Sequence, residues 1–150
     1  METTIKTDVI IVGAGPTGLS LACQLIRHGV DFVVVEKRDG VTTFSKALGV
    51  HARTLEIYEQ LGIADRAVEQ GTIVRKAQMI KGGEIRGEVD LSSVGEGLSA
   101  YPYMLVLEQT KNEHLLYEYM QTRGKDVLWQ TTMEDFTQDE KSVTAHIKTA

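Results

Sequence analysis

The run GAGPTG at residues 13–18 constrains this chain more than any other feature. It follows the apolar stretch 9–12, opens a segment with apolar residues at helical spacing, and is answered by Glu36 at the end of a second apolar stretch, FVVV. The three glycines have separate jobs. Gly13 makes a tight turn, Gly15 lets backbone approach a pyrophosphate, and Gly18 lets a helix pack against a strand. Pro16 suits the first helical turn, where its missing N–H has no partner to lose. The N–H groups left free at that helix start, with the positive end of the helix dipole, face an anion. Glu36 is placed to accept from both hydroxyls of an adenosine ribose, and its charge repels a 2′-phosphate, so this site favours FAD or NAD over NADP.

The surroundings of the motif strengthen the reading. The strand VIIV, the glycine turn, a helix with Leu19, Ala22, Leu25 and Ile26 on one face, the Gly29 stop and the strand ending at Glu36 form one βαβ unit. Such a unit needs roughly thirty residues.

Composition limits the alternatives. With 150 residues, 42% of them hydrophobic, the chain can bury one core, and one domain is expected. A net charge of −5 and a pI near 5.4 argue against a nucleic-acid or anionic-membrane surface. The polar start METTIKTD and an apolar run of only four residues before Gly13 do not make a signal peptide, and no segment reads as a membrane span. The one cysteine, Cys23, cannot form an internal disulfide, which suits a cytoplasmic location, and its place on the first helix reads as core. His28, His51, His114 and His146 show no metal-ligand spacing and read as surface or helix-end residues. Glu113, Glu118, Asp135 and Asp139 read as solvated or capping carboxylates.

Beyond the βαβ unit, residues 37–49 read as a loop beside the ligand. Residues 53–61 regain helical spacing, with Leu55, Tyr58 and Leu61 on one face and Gly62 as the stop. Residues 73–80 and 84–91 alternate around Lys81, Gly82 and Gly83, which predicts a β-hairpin. Residues 92–100 read as a loop and 101–107 as a strand. Thr110 and Glu113 have the T-x-x-E spacing of a capping box, predicting a helix that buries Leu115, Leu116, Tyr119 and Met120 and ends at Gly124. Residues 126–130 read as a third parallel strand, and 132–137 and 142–149 as a hairpin around QDEK. A doubly wound sheet needs more parallel strands than these, so the chain reads as an incomplete N-terminal part, residues 1–150, of a larger protein, with residues 72–104 as a β insertion at the start of a substrate-facing layer.

Three blocks carry a resemblance: DVIIVGAGPTGLSLACQLIRHGVDFVVVEKR, SKALGVHARTLEIYEQLGI and YPYMLVLEQTKNEHLLYEYM. In this order and at these separations they resemble the FAD-dependent aromatic hydroxylases, the single-component flavoprotein monooxygenases related to para-hydroxybenzoate hydroxylase, including the phenol, polyketide and rifampicin branches. The first block alone is shared by many flavoproteins of the two-dinucleotide type. The resemblance implies an α/β, Rossmann-like FAD-binding domain of that type with an inserted β-hairpin layer.

It also implies roles for particular residues. Gly13, Ala14, Gly15, Pro16, Thr17 and Gly18 would cradle the FAD pyrophosphate, Glu36 would hold the ribose, and Lys37 or Arg38 would lie over the adenine side. Lys46 stands, next to the matching Ala47, where the family usually has a cofactor-contacting arginine; lysine keeps the charge but not the planar fork. Gln109 matches a glutamine that hydrogen-bonds FAD. Arg53 lies in the matching RTLE run, where an ion pair with Glu56 or Glu59 is as good a reading as cofactor contact. The implied activity is hydroxylation of a small phenolic substrate with NADPH or NADH and O2, through a flavin hydroperoxide. No metal, nucleic acid or membrane enters that scheme. The family's later Asp-Gly and Gly-Asp motifs have no counterpart among these residues, and most of a substrate pocket would lie beyond them. Other readings are a non-catalytic nucleotide-binding fragment, an epoxidase or reductase with the same front half, and, least favoured, a plain NAD dehydrogenase, which would continue as uninterrupted βαβ units.

Overall fold

A computed structural model describes residues 4–44 and 47–150, with only the backbone for Ala47 and Leu48. The chain divides into two units, one formed by residues up to Thr43 and from Leu116 onward, the other by residues 44–115.

The first unit is the expected βαβ. Strands β1 (Val9–Val12) and β2 (Phe32–Val35) pair in parallel, Val9 opposite Phe32 and Val12 opposite Val35. Helix α1 (Pro16–His28) connects them and buries Leu19, Ala22 and Cys23 completely. It stops at Gly29, whose left-handed φ of 67° lets its N–H reach back to the Ile26 carbonyl. A short strand, β8 (Val127–Leu128), pairs in parallel with β2 on its other side, giving the order β1-β2-β8. The central strand β2 is an unbroken apolar run because both of its faces are covered. An antiparallel hairpin, β9 (Thr131–Gln138) and β10 (Val143–Thr149), completes the unit. Its turn is fixed by Asp139, whose carboxylate accepts from the N–H groups of Lys141 and Ser142, both at 2.7 Å.

The second unit holds an antiparallel sheet in the order β3-β7-β4, built from β3 (Ala47–Val50), β7 (Met104–Glu108) and β4 (Thr72–Val74). The central β7 buries Leu105 and Leu107 completely. Helix α2 (Ala52–Leu61) buries Leu55, Tyr58 and Leu61 as its spacing predicts, and ends at left-handed Gly62. A second helix, α3 (Ala64–Gln70), follows at once. Helix α4 (Gln109–Gln121) begins in this unit and passes into the first. Tyr58 donates to the Asn112 side-chain oxygen at 2.6 Å, joining α2 to α4 inside the second unit.

Several expectations need correction. The stretch read as a loop up to residue 49 contains β3, whose hydrogen-bond partner β7 lies more than fifty residues away in sequence. The first arm of the predicted hairpin breaks at Arg75: Thr72–Val74 belongs to the β7 sheet, and only β5 (Lys76–Lys81) pairs with β6 (Glu84–Asp90). The sequence pattern does not predict helix α3, because two turns of ADRAVEQ show too little periodicity. The capping box does not form. Helix α4 starts one residue earlier, the Thr110 hydroxyl is buried without a hydrogen-bond partner, and the Gln109 amide donates to Glu113 at 2.8 Å. Glu113 is therefore not a solvated carboxylate; it is fully buried.

Candidate functional site

The glycine turn behaves as its three positions require. Gly13 has φ of 105°, a conformation closed to ordinary side chains. Gly15 caps α1 with open space where a Cβ would stand, so a ligand can approach its backbone. A Cβ on Gly18 would lie 1.9 Å from the Gly13 carbonyl oxygen, so helix and turn are in direct contact there. Pro16 takes the first helical position. The Gly13 N–H is spent on the Val35 carbonyl at 2.8 Å, which ties the turn to β2.

Glu36 is placed by backbone. Its N–H donates to the Leu128 carbonyl at 3.0 Å, and its carbonyl accepts from the Thr131 N–H at 2.9 Å. The Gln130 N–H donates to the Arg38 carbonyl at 2.8 Å, and Gln130 adopts a left-handed φ of 52° as the chain turns from β8 into β9. The segment after β2 is thus laced to the segment after β8, and the Glu36 side chain has one direction to go.

Its carboxylate is buried, with 7% of the residue exposed, and carries four donors. Oε2 accepts from the Ala14 N–H at 2.8 Å and from Arg38 Nη2 at 3.3 Å; Oε1 accepts from the Arg38 N–H at 3.0 Å and pairs with Arg38 Nε at 3.1 Å. Burial by itself would raise the carboxyl pKa. The bonds from the Arg38 side chain and from the backbone of Arg38 and Ala14 outweigh it and hold Glu36 below the usual carboxylate range.

A cleft of about 350 Å³ opens at the C-terminal ends of β1 and β2, lined by Val12, Val35, Gly13, Glu36, Lys37 and the first residues of β9, Thr131, Thr132 and Met133. Its size falls within the ~300–1,000 Å³ of small-molecule sites, and the strand ends are where open α/β sheets hold ligands. Lys37 lines it; Arg38 does not. The β9 residues were not legible as site residues, since alternation identifies a strand without saying which cleft it returns to.

The other expected site residues lie in the second unit. Arg53 is exposed and pairs with Glu56 at 2.9 Å, and Glu56 also accepts from Ser99 at 2.8 Å. Gln109 is tied to Glu113 through its amide. Lys46 lies outside the described residues, as does the Ala47 side chain.

Burial pushes the Cys23 thiol up to about 12, and its S–H points at the Leu116 carbonyl. His28, His51, His114 and His146 are exposed. Among the described residues no three His, Cys, Asp or Glu side chains cluster to hold a metal, and no helix is long and apolar enough to cross a membrane.

Comparison with known proteins agrees with this geometry. The chain is 38% identical over 141 residues to a rifampicin monooxygenase of Rhodococcus hoagii, a match covering 94% of this chain and 28% of that protein. Its fold superposes with a TM-score of 0.86 on the p-nitrophenol 4-monooxygenase PnpA of Pseudomonas putida, at 27% identity over 97% of this chain and 37% of that one. It superposes with a TM-score of 0.85 on the flavin-dependent monooxygenase PieE in complex with FAD and substrate, at 28% identity over 97% and 27% of the two chains. The chain thus spans between about a quarter and two fifths of the length of these proteins. The model of the FAD binding domain matches residues 6–150, and with it nearly the whole chain, glycine turn, Glu36 and cleft together, belongs to the FAD-binding-domain family.

Proposed function

We propose that this chain is the FAD-binding part of a flavin-dependent monooxygenase that hydroxylates a small aromatic, phenolic substrate with O2 and with NADPH or NADH as electron donor. The observation that carries the reading is the joining of two features in one place: a glycine turn whose Gly13 and Gly15 leave the backbone bare, and a buried, ionised Glu36 facing a cleft at the strand ends. Similarity to monooxygenases of rifampicin and p-nitrophenol supports the reaction class.

The residues fit the adenosine diphosphate end of FAD. With the Gly13 N–H on Val35 and the Ala14 N–H on Glu36, the donors at the start of α1 are those of Gly15, Thr17 and Gly18, which by helix geometry have no partner one turn back. They take the pyrophosphate, favoured by the helix dipole. Glu36 accepts from the ribose hydroxyls, and Thr131, Thr132 and Met133 with Lys37 border the base. Gln109, Lys46 with Ala47, and Arg53 are the further candidates for cofactor contact.

Bound FAD, once reduced by the nicotinamide, supplies the two-electron activation of O2 that aromatic hydroxylation needs. What this chain adds is retention and orientation: the strand-end cleft fixes the adenosine, and the turn fixes the pyrophosphate. The test is an absorbance spectrum after incubation with FAD and desalting, followed by phenol-dependent NAD(P)H oxidation by the protein. Retained flavin bands and phenol-stimulated oxidation are expected; flavin that binds without any phenol-stimulated oxidation or hydroxylated product would point to a reductase or a non-catalytic module.

A further inference from the structure

We infer that Arg38 is a positioning residue for the ribose site: its guanidinium holds the Glu36 carboxylate against the glycine turn without itself lining the cleft. The inference rests on the proposed adenosine site and assigns Arg38 a role distinct from adenine contact.

Three observations converge on it. The guanidinium meets the carboxylate as a fork, Nε to Oε1 at 3.1 Å and Nη2 to Oε2 at 3.3 Å, and Nη2 also donates to the Ala14 carbonyl at 3.2 Å. A planar two-point grip fixes both position and rotation of a carboxylate, which a single lysine charge cannot do. Arg38 therefore ties Glu36 to the glycine turn through Ala14, whose N–H binds the same carboxylate. Finally, the cleft is lined by Glu36 and Lys37 but not by Arg38.

The chemistry follows from burial. A carboxylate this enclosed stays ionised only if donors replace the water it has lost. Arg38 supplies three of the four donors, two from its guanidinium and one from its backbone N–H, and the positive charge bonded directly to Glu36; among the described residues Lys37 is the cation that lines the cleft. Without Arg38 the carboxylate rotates more freely and takes up a proton more readily, and either change spoils it as a double acceptor for two adjacent ribose hydroxyls.

The test combines two readouts on the chain: a carboxyl-carbon NMR titration of Glu36 without ligand, and calorimetric binding of ADP, with FMN as the control that lacks adenosine. Arg38→Gln is expected to raise the Glu36 titration midpoint and to weaken ADP binding about tenfold, the scale of one charged hydrogen bond. Arg38→Lys should recover part of both, and it serves as the check if the glutamine variant fails to fold. In a Glu36→Gln background, Arg38→Gln should change ADP binding less than about twofold, because its action passes through Glu36. Equal weakening by Arg38→Gln in both backgrounds would show that Arg38 touches the ligand itself and would overturn the inference. So would an unmoved Glu36 titration with unmoved ADP binding. A Glu36 midpoint that shifts while wild type and Glu36→Gln bind ADP alike would instead overturn the adenosine site on which the inference rests.

Discussion

The strand-end corner of the first unit and the β5–β6 hairpin of the second are built on opposite principles. At the corner Val34 and Val35 are fully buried, and the Glu36 carboxylate has four donors. The hairpin leaves its apolar side chains open to solvent. Ala77 pairs with Val89, Met79 with Gly87 and Ile80 with Ile85, and Lys76, Gln78 and Lys81 pair with Asp90, Glu88 and Glu84. The register shifts between Met79 and Ile80, where Arg86 of β6 is the extra residue. Met79, Ile80, Ile85 and Val89 are all more than half exposed. The hairpin is held by its backbone ladder and by cross-strand pairs such as Lys76–Glu88 at 2.7 Å, a type of support that is marginal in water. Side-chain identity should therefore matter greatly at the corner and little in the hairpin.

The sharpest way to break this contrast is Gly18→Val. A Cβ there meets backbone 1.9 Å away, so the turn must move, and the expected loss is about 3 kcal/mol or more in urea unfolding, with loss of FAD retention. Next comes Val34→Ala in the middle strand, which should cost about 2 kcal/mol through lost burial and the cavity left behind. Glu36→Gln should weaken FAD binding by about 1.5 kcal/mol. It should also flatten the acid limb of the stability curve. Because the folded-state pKa of Glu36 is depressed, its contribution is fully present above the ordinary glutamate value of about 4.3 and is lost as pH falls through the lower, folded value. Denaturant melts of the two proteins below pH about 4 are the check. Smallest is Ile85→Ser on the open hairpin face, expected to change stability by less than about 0.5 kcal/mol; a loss comparable with that of Val34→Ala would erase the distinction between the two regions.

How much was legible in sequence follows the same divide. The βαβ unit, the helix stops at Gly29, Gly62 and Gly124, and the roles of Gly13 and Gly18 could be read because each depends on local spacing and on backbone freedom that only glycine has. Pairings between distant segments could not. Strand β3 is four residues whose partner is β7, and β4 leaves the hairpin at Arg75 to join the same sheet. Glu113 fits a capping box by spacing, yet the Gln109 amide takes its carboxylate in a buried interior that the local sequence does not announce. In the site, Glu36 was identifiable from its place after β2. Its neighbours Thr131, Thr132 and Met133 reach the cleft only because backbone bonds lace residues 36 and 38 to residues 128, 130 and 131.

The central claim is that the glycine turn, Glu36 and the start of β9 together hold the adenosine diphosphate end of FAD. Amide chemical-shift mapping of the 15N-labelled chain titrated with ADP tests it most directly. The account predicts saturable shifts concentrated at Gly15, Thr17, Gly18, Glu36 and residues 131–133, with the β5–β6 hairpin silent. Shifts that avoid the glycine turn and Glu36, or no shifts at all at millimolar ADP, would contradict it.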